Sequence, residues 1–273
     1  MTSNTFKRVI VSVLAIPFLL GATYLGTYYF FGMVMVIALV SFIEFSLMMK
    51  KKSISPNILI GFIAVALLLT DQFRPFIDNY SFYLLLIVLL SLVELFRNKG
   101  SAIINIGSTL LAVFYIQLLA SALIGIREFY PPIGELYFRG GFVLLSIMAT
   151  IWICDSAAFF GGTALGKHKL FPRVSPNKSW EGAVFGLVFA VITMLLAKVI
   201  ILNFMEWKDV IVIGLIVGTI GQAGDLVESL FKRDAGVKDS SALIPGHGGI
   251  FDRFDSLLFS APVILLYMKN FVR

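Results

Sequence analysis

Between Val9 and Met49 the chain carries a single charged residue, Glu44. Crossing about 30 Å of hydrocarbon at a rise of about 1.5 Å per residue takes an apolar helix of about 20 residues. The run is too long for one crossing and reads as two antiparallel ones, divided near Gly26-Thr27-Tyr28. Further apolar runs follow at about 57–70, 80–96, 102–126, 142–160, 183–203, 209–230 and 253–271. The third span is short, so it crosses with little tilt or is re-entrant. The expected fold class is an all-α polytopic integral membrane protein with about nine transmembrane helices. Hydrophobic residues make up 59% of the chain, above the roughly 45–50% of soluble domains.

The 22 basic residues set the expected orientation. Counting the connections alternately, roughly fifteen lie on the side of the N-terminus, among them Lys7, Arg8, Lys50, Lys51, Lys52, Arg97 and Lys99. The opposite side has only Arg74, Arg127, Arg139, Lys208, Lys269 and Arg273, with Lys198 near it. The N-terminus is therefore expected in the cytoplasm and the C-terminus outside, as an odd number of spans requires. Lys7-Arg8 resembles the start of a signal peptide, but no small-residue cleavage site follows, so the first run reads as a retained span. A net charge of +6 is topology in such a chain, and no basic, aromatic-interleaved module suggests nucleic acid. Cys154 is the only cysteine, which excludes an intrachain disulfide.

Chemistry is unevenly distributed, and the chain divides into N-terminal helices (1–140) and a C-terminal catalytic region (141–273). In the first part Glu44 and Glu94 sit towards the cytoplasmic ends of their spans, where an interfacial helix-end role is expected. Lys50-Lys51-Lys52 is a topology signal that also attracts anionic lipid headgroups. The 127–140 connection, with Pro131-Pro132, reads as an external turn.

The first polar constellation runs from Trp152 to Gly182. Asp155 is expected about one turn from the cytoplasmic end of its helix, with Gly161, Gly162 and Gly166 where that helix stops. The loop then provides Lys167, Lys169, Arg173 and Lys178, with Ser175, Asn177 and Ser179 as neutral hydrogen-bonding groups. Ser179 is placed to cap the next helix, and a helix N-terminus at that interface favours an anion. Taken singly, each lysine reads equally well as a topology signal.

The second constellation begins at Gly221. Asp225, Glu228 and Lys232 fall at i, i+3 and i+7 and share one stripe. Gly214, Gly218, Gly221 and Gly224 permit close helix packing. The following loop holds Arg233, Lys238 and Asp239 and ends in Pro245-Gly246-His247-Gly248-Gly249; Asp252, Arg253 and Asp255 then open the last span. Carboxylates beside hydrocarbon are costly and mark function. Two of them brought together from separate helices suit Mg²⁺, which takes one or two carboxylates, waters and substrate phosphates. The alternative is that Asp252 or Asp255 caps a helix and is neutralised by Arg233 or Arg253. His247 has no second histidine nearby, which argues against zinc and for a phosphate contact or a turn-stabilising role. Both constellations share the cytoplasmic face, where a phosphate-bearing cosubstrate is available.

The stretch SLFKRDAGVKDSSALIPGHGGIFDRFD, Ser229 to Asp255, resembles the signature of the phosphatidate cytidylyltransferases, or CDP-diacylglycerol synthases. Ser229, Lys232, Arg233, Lys238, Asp239, His247, Gly248, Gly249, Asp252, Arg253 and Asp255 match its positions. The upstream DSAAFFGG and RVSPNKSWEG also look like that family's. The resemblance implies transfer of a cytidylyl group from CTP to phosphatidic acid, giving CDP-diacylglycerol and pyrophosphate for phospholipid synthesis. Asp225 and Asp252 are the expected Mg²⁺ ligands, with Asp255 and Glu228 either around them or at a second cation site, and the resemblance leaves room for K⁺ beside the Mg²⁺. Lys178, Lys232, Arg233 and Lys238 would share the triphosphate, Ser175 and Asn177 complete the polar wall, and Asp155 is a further carboxylate. A homodimer in a bacterial inner membrane, among membrane lipids, is also implied. Two other readings are a CTP-dependent lipid kinase of the polyprenol type and an ion-coupled transporter. Transporter sites lie near mid-bilayer, whereas these carboxylates are expected towards one face.

Overall fold

A computed structural model of the chain describes residues 3–243 and 248–272, with side chains from residue 12 onward. The described chain folds into ten α-helices: α1 (Ser3–Leu25), α2 (Thr27–Lys50), α3 (Ile58–Phe73), α4 (Asn79–Arg97), α5 (Ala102–Arg127), α6 (Leu136–Leu165), α7 (Trp180–Ile200), α8 (Trp207–Ile216), α9 (Gln222–Asp234) and α10 (Phe251–Phe271). A π-helical turn, Val217–Gly221, joins α8 to α9 in one rod, so Trp207–Asp234 is continuous over 28 residues. The all-α polytopic class is what the apolar runs require. Six described helices are long and apolar enough to cross a bilayer, among them α2, α5, α6 and α7. The division near Gly26 is real: Gly26 adopts φ +69 and separates α1 from α2.

Lipid-facing and core-facing surfaces follow from side-chain placement. On α4 only Leu86, Leu90 and Glu94 are buried; Leu95 and Phe96 stand exposed, as hydrocarbon around the protein allows. α5 is the central helix, burying Ala112, Val113, Ile116, Ala120 and Leu123 against α2, α3 and α10. At one end Phe45, Tyr115, Phe231 and Phe251 form an aromatic cluster, with ring centroids 5.2 Å apart for Phe45–Phe231 and 5.5 Å for Tyr115–Phe231. That cluster ties α2, α5, α9 and α10 together beneath the polar loops.

Two corrections to the sequence reading concern α6. It continues to Leu165, so Asp155 lies ten residues from its end rather than one turn, and Gly161 and Gly162 sit inside the helix. Their role is close approach. A Cβ on Gly182 would stand 2.6 Å from the carbonyl oxygen of Ala158 and 3.1 Å from Cα of Gly162, so α6 and α7 meet backbone to backbone. The connection between α6 and α7, residues 166–179, also holds a short antiparallel hairpin, β1 (Lys169–Phe171) with β2 (Ser175–Ser179). As expected, Ser179 caps α7, its Oγ accepting from the Gly182 N–H at 3.2 Å.

Candidate active site

α9 sets out the first part of the site. Its stripe of Asp225, Glu228 and Lys232 turns towards α10, and the Lys232 ammonium lies 2.6 Å from Glu228 Oε2 and 2.9 Å from Asp252 Oδ1. Glu228 is 1% exposed and Asp252 5% at the side chain, so this cation is held between two nearly dry carboxylates. Glu228 Oε1 is buried and accepts no hydrogen bond from any described residue. Oxygens of Asp225, Glu228 and Asp255 all lie within 4.8 Å of one another. Ser229 Oγ makes a long 3.4 Å contact with Asp225 Oδ1.

The hairpin reaches this cluster from the other side. Lys178 on β2 pairs with Asp225 Oδ2 at 2.6 Å, and Ser175 and Asn177 lie on the same strand. Arg233 donates to the carbonyl oxygens of Val174 at 3.3 Å and Val237 at 3.1 Å, so it fastens the α9 end to the hairpin. The two constellations therefore share one end of the molecule and touch. Lys52, in the turn after α2, joins them there, 2.7 Å from Asp234. Arg173, Lys238, Asp239 and Arg253 are exposed around this end.

Asp252 is placed differently from its expected pairing with Asp225. Its Oδ2 accepts from the Gly249 N–H at 2.8 Å and the Ser240 N–H at 3.1 Å, while Oδ1 takes the Lys232 ammonium. The acidic group that converges with Asp225 is instead Asp255 with Glu228. Gly248 is required for this turn: it adopts φ +85, and a Cβ there would lie 2.8 Å from Asp252 Oδ2. His247 lies outside the described residues.

Beside the carboxylates opens a cavity of about 1020 Å³ between α1, α2, α6 and α10. Its walls are mostly apolar, with Leu19, Met33, Val36 and Trp152 among them, and its polar end carries Asp155, Arg253 and Asp255. Asp155 is thus deep along α6 yet open to this cavity. A pocket that is hydrocarbon-like along its length and ionic at one end suits an amphiphile with a charged head.

Two residues of the site escaped the sequence reading. Glu44, expected at the interface, is 3% exposed and bonded to both ends of the loop before α10. Ser240 is buried and donates to Glu44 and Asp252. The available signal was Glu44 itself, the one charge in a 41-residue apolar run. Glu94 is also buried, but it is bound locally, to Arg97 at 2.6 Å and Asn105 at 3.1 Å.

Comparison with known proteins shows the family. A family model described as the cytidylyltransferase family matches residues 6–271. A phosphatidate cytidylyltransferase of Staphylococcus haemolyticus is 32% identical, with 97% of each chain covered. One of Bacillus subtilis is 32% identical over 97% of this chain and 98% of its own. Another, from Haemophilus influenzae, is 45% identical over 133 residues, 46% of this chain and 45% of its own. With the match running through every helix from α1 to α10, the chain belongs to the cytidylyltransferase family.

Proposed function

We propose that this chain carries out the reaction its full-length relatives are named for, transfer of a cytidylyl group from CTP to phosphatidate. A phosphate oxygen of phosphatidate forms a bond to the α-phosphorus of CTP, the bond from that phosphorus to the bridging oxygen breaks, and pyrophosphate leaves. The observation that carries the reading is the junction of an apolar cavity of about 1020 Å³ with a cluster of carboxylates and lysines. Acyl chains lie in the cavity and the lipid phosphate reaches its ionic end.

The nucleophile is already largely anionic near neutral pH, so little general-base help is needed. The obstacle is repulsion between the lipid phosphate and the triphosphate, and catalysis is alignment and charge neutralisation. Lys178 and Lys232 sit inside the carboxylate cluster, paired now with Asp225, Glu228 and Asp252. Arriving phosphates compete for both cations. Ser175 and Asn177 line the hairpin side. Arg173, Lys238 and Arg253 lie at the rim, where they attract the polyanion.

The donor set suits Mg²⁺: Asp225, Glu228 and Asp255 offer hard oxygens at one point, and Glu228 Oε1 lacks a partner among described residues. Asp225 is the ligand common to this grouping and to the pair with Asp252. Asp252 joins only by releasing Lys232 or the Ser240 and Gly249 amides. When bound, the cation withdraws charge from the phosphates, and K⁺ is a second occupant for the same cluster.

The site end faces the cytoplasm in this reading, supported by the basic residues gathered there, in a bacterial inner membrane. A homodimer rests on the family resemblance. The glycines of the α8–α9 rod supply none of its surface, because Gly214 and Gly218 pack on α7 and Gly224 on α10.

The test is incubation of membranes with phosphatidate and CTP labelled in the base, with and without Mg²⁺. Label entering lipid supports the proposal. Label remaining as soluble CDP would point to a lipid kinase, and ion-driven uptake into proteoliposomes without nucleotide to a transporter.

A further inference from the structure

Glu44 stands on α2, six residues before its end at Lys50, in the part of the chain that otherwise looks like plain hydrocarbon. Its carboxylate is 3% exposed, yet it receives four donors. Oε1 accepts from Ser241 Oγ at 2.5 Å and from the Ile250 N–H at 3.1 Å. Oε2 accepts from Ser240 Oγ at 3.1 Å and from the Phe251 N–H at 2.8 Å. Each oxygen therefore bridges one serine where the loop begins and one amide where it ends.

We propose that Glu44 is a positioning residue that holds Ser240 and Ser241 against the start of α10 and so sets Asp252 in the active site. Ile250 and Phe251 open α10, so their N–H groups have no partner within the helix, and the carboxylate satisfies them where the helix dipole favours negative charge. Drawing Ser240 and Phe251 to one point aligns the Ser240 and Gly249 amides on Asp252, and Asp252 in turn orients Lys232. Gly249 admits the arrangement: a Cβ there would stand 2.6 Å from Glu44 Oε2. The start of α10 is thus filled by the protein's own anion, and substrate phosphate is directed to Lys178 and Lys232 instead. Phe45, next in sequence, packs 5.7 Å from Phe251 and fixes the height of α2 against α10.

Glu44→Gln keeps the size but offers a single acceptor oxygen to four donors. The inference needs the transfer reaction only for its activity readout, so amide hydrogen exchange on the substrate-free protein in detergent is measured alongside. Faster exchange confined to 240–243 and 248–251, with kcat down roughly 10²-fold and KM for phosphatidate within about twofold, supports it. Unchanged exchange in those segments, or wild-type kcat, overturns it. Should Glu44→Gln fail to fold, Ser240→Ala/Ser241→Ala decides, since it removes two donors and leaves the carboxylate in place. Raised loop exchange with a several-fold loss of kcat supports the role; wild-type values of both overturn it. A wild-type enzyme that transfers no cytidylyl group would sink the reaction assignment, while the exchange comparison still decides the clamp.

Discussion

The Lys178 ammonium stands 2.6 Å from Asp225 Oδ2, joining the hairpin before α7 to the helix that carries the acidic cluster. They are 47 positions apart in sequence, with the whole of α7 and α8 between them. The pair is part-exposed, at 30% and 35% of the side chains, so it can open to phosphate without stranding a buried charge. Lys178→Met is expected to raise KM for CTP by about tenfold or more, the effect of losing roughly 1.4 kcal/mol of binding, with little change in thermal midpoint. Initial rates against CTP concentration check this.

Asp225→Asn and Asp252→Asn separate the two carboxylate roles. Asp225→Asn removes the carboxylate shared by every grouping and is expected to cost at least about 10²-fold in kcat. Asp255→Asn should also raise the Mg²⁺ concentration needed for half-maximal rate. Asp252→Asn acts through Lys232 and the loop, with a loss of about 10–100-fold and a smaller shift in Mg²⁺ demand. Magnesium titrations of the three variants measure this; an equal Mg²⁺ shift in Asp252→Asn would return Asp252 to the ligand set.

Lys232 is the cation whose loss should hurt the fold as well as the reaction. Lys232→Met leaves Glu228 and Asp252 buried without their counter-charge, a change of about 3–5 kcal/mol. Adding Glu228→Gln should recover much of the stability and none of the turnover. Thermal midpoints in detergent, taken beside the transfer assay, test both halves.

Arg127 offers a stability test away from the chemistry. It is fully buried, donating to the carbonyl oxygens of Thr23 at 2.7 Å, Tyr24 at 2.8 Å and Tyr137 at 3.0 Å, with its guanidinium 4.3 Å from the Tyr137 ring centre. Each hydrogen bond to a charged group contributes about 1.5–3 kcal/mol. Arg127→Ala should therefore lower the thermal midpoint by several degrees through loosening of α1 against α5 and α6. A midpoint equal to wild type would show that the carbonyls find other donors.

Gly182→Ala tests the α6–α7 crossing. The new methyl meets the Ala158 carbonyl at 2.6 Å, and neither partner is a flexible side chain. Overpacking of this kind costs about 1–3 kcal/mol, and the displaced start of α7 carries β2 and Lys178 with it. Both the midpoint and KM for CTP should move.

What was legible in the sequence follows from which forces are local. The all-α class and the placement of the apolar helices rest on run length, a property of consecutive residues, and the Asp225–Glu228–Lys232 stripe and the Ser179 cap rest on spacing within one or two turns. The end of α6 was misplaced because Gly161 and Gly162 look like stops, whereas here they are where another backbone approaches. Glu44 was misjudged because its donors lie some two hundred residues away. The same holds for Asp252, whose spacing from Asp255 says nothing about the Ser240 amide that claims it.

The π turn at Val217–Gly221 has an effect that run length alone conceals. It inserts one residue into a rod without a matching gain in rise, so each later residue takes the azimuth its predecessor would have had. In an unbroken α-helix Asp225 would continue the Gly214–Gly218 row that lies flat on α7. Turned by about 100°, it faces the angle between the hairpin and α10 instead. Excising one residue from this turn would leave the rod nearly as long, spanning the same depth, but would rotate every carboxylate on α9 out of phase with Lys178 and Asp255. The screw of one helix, and not only its chemistry, keeps the site in register.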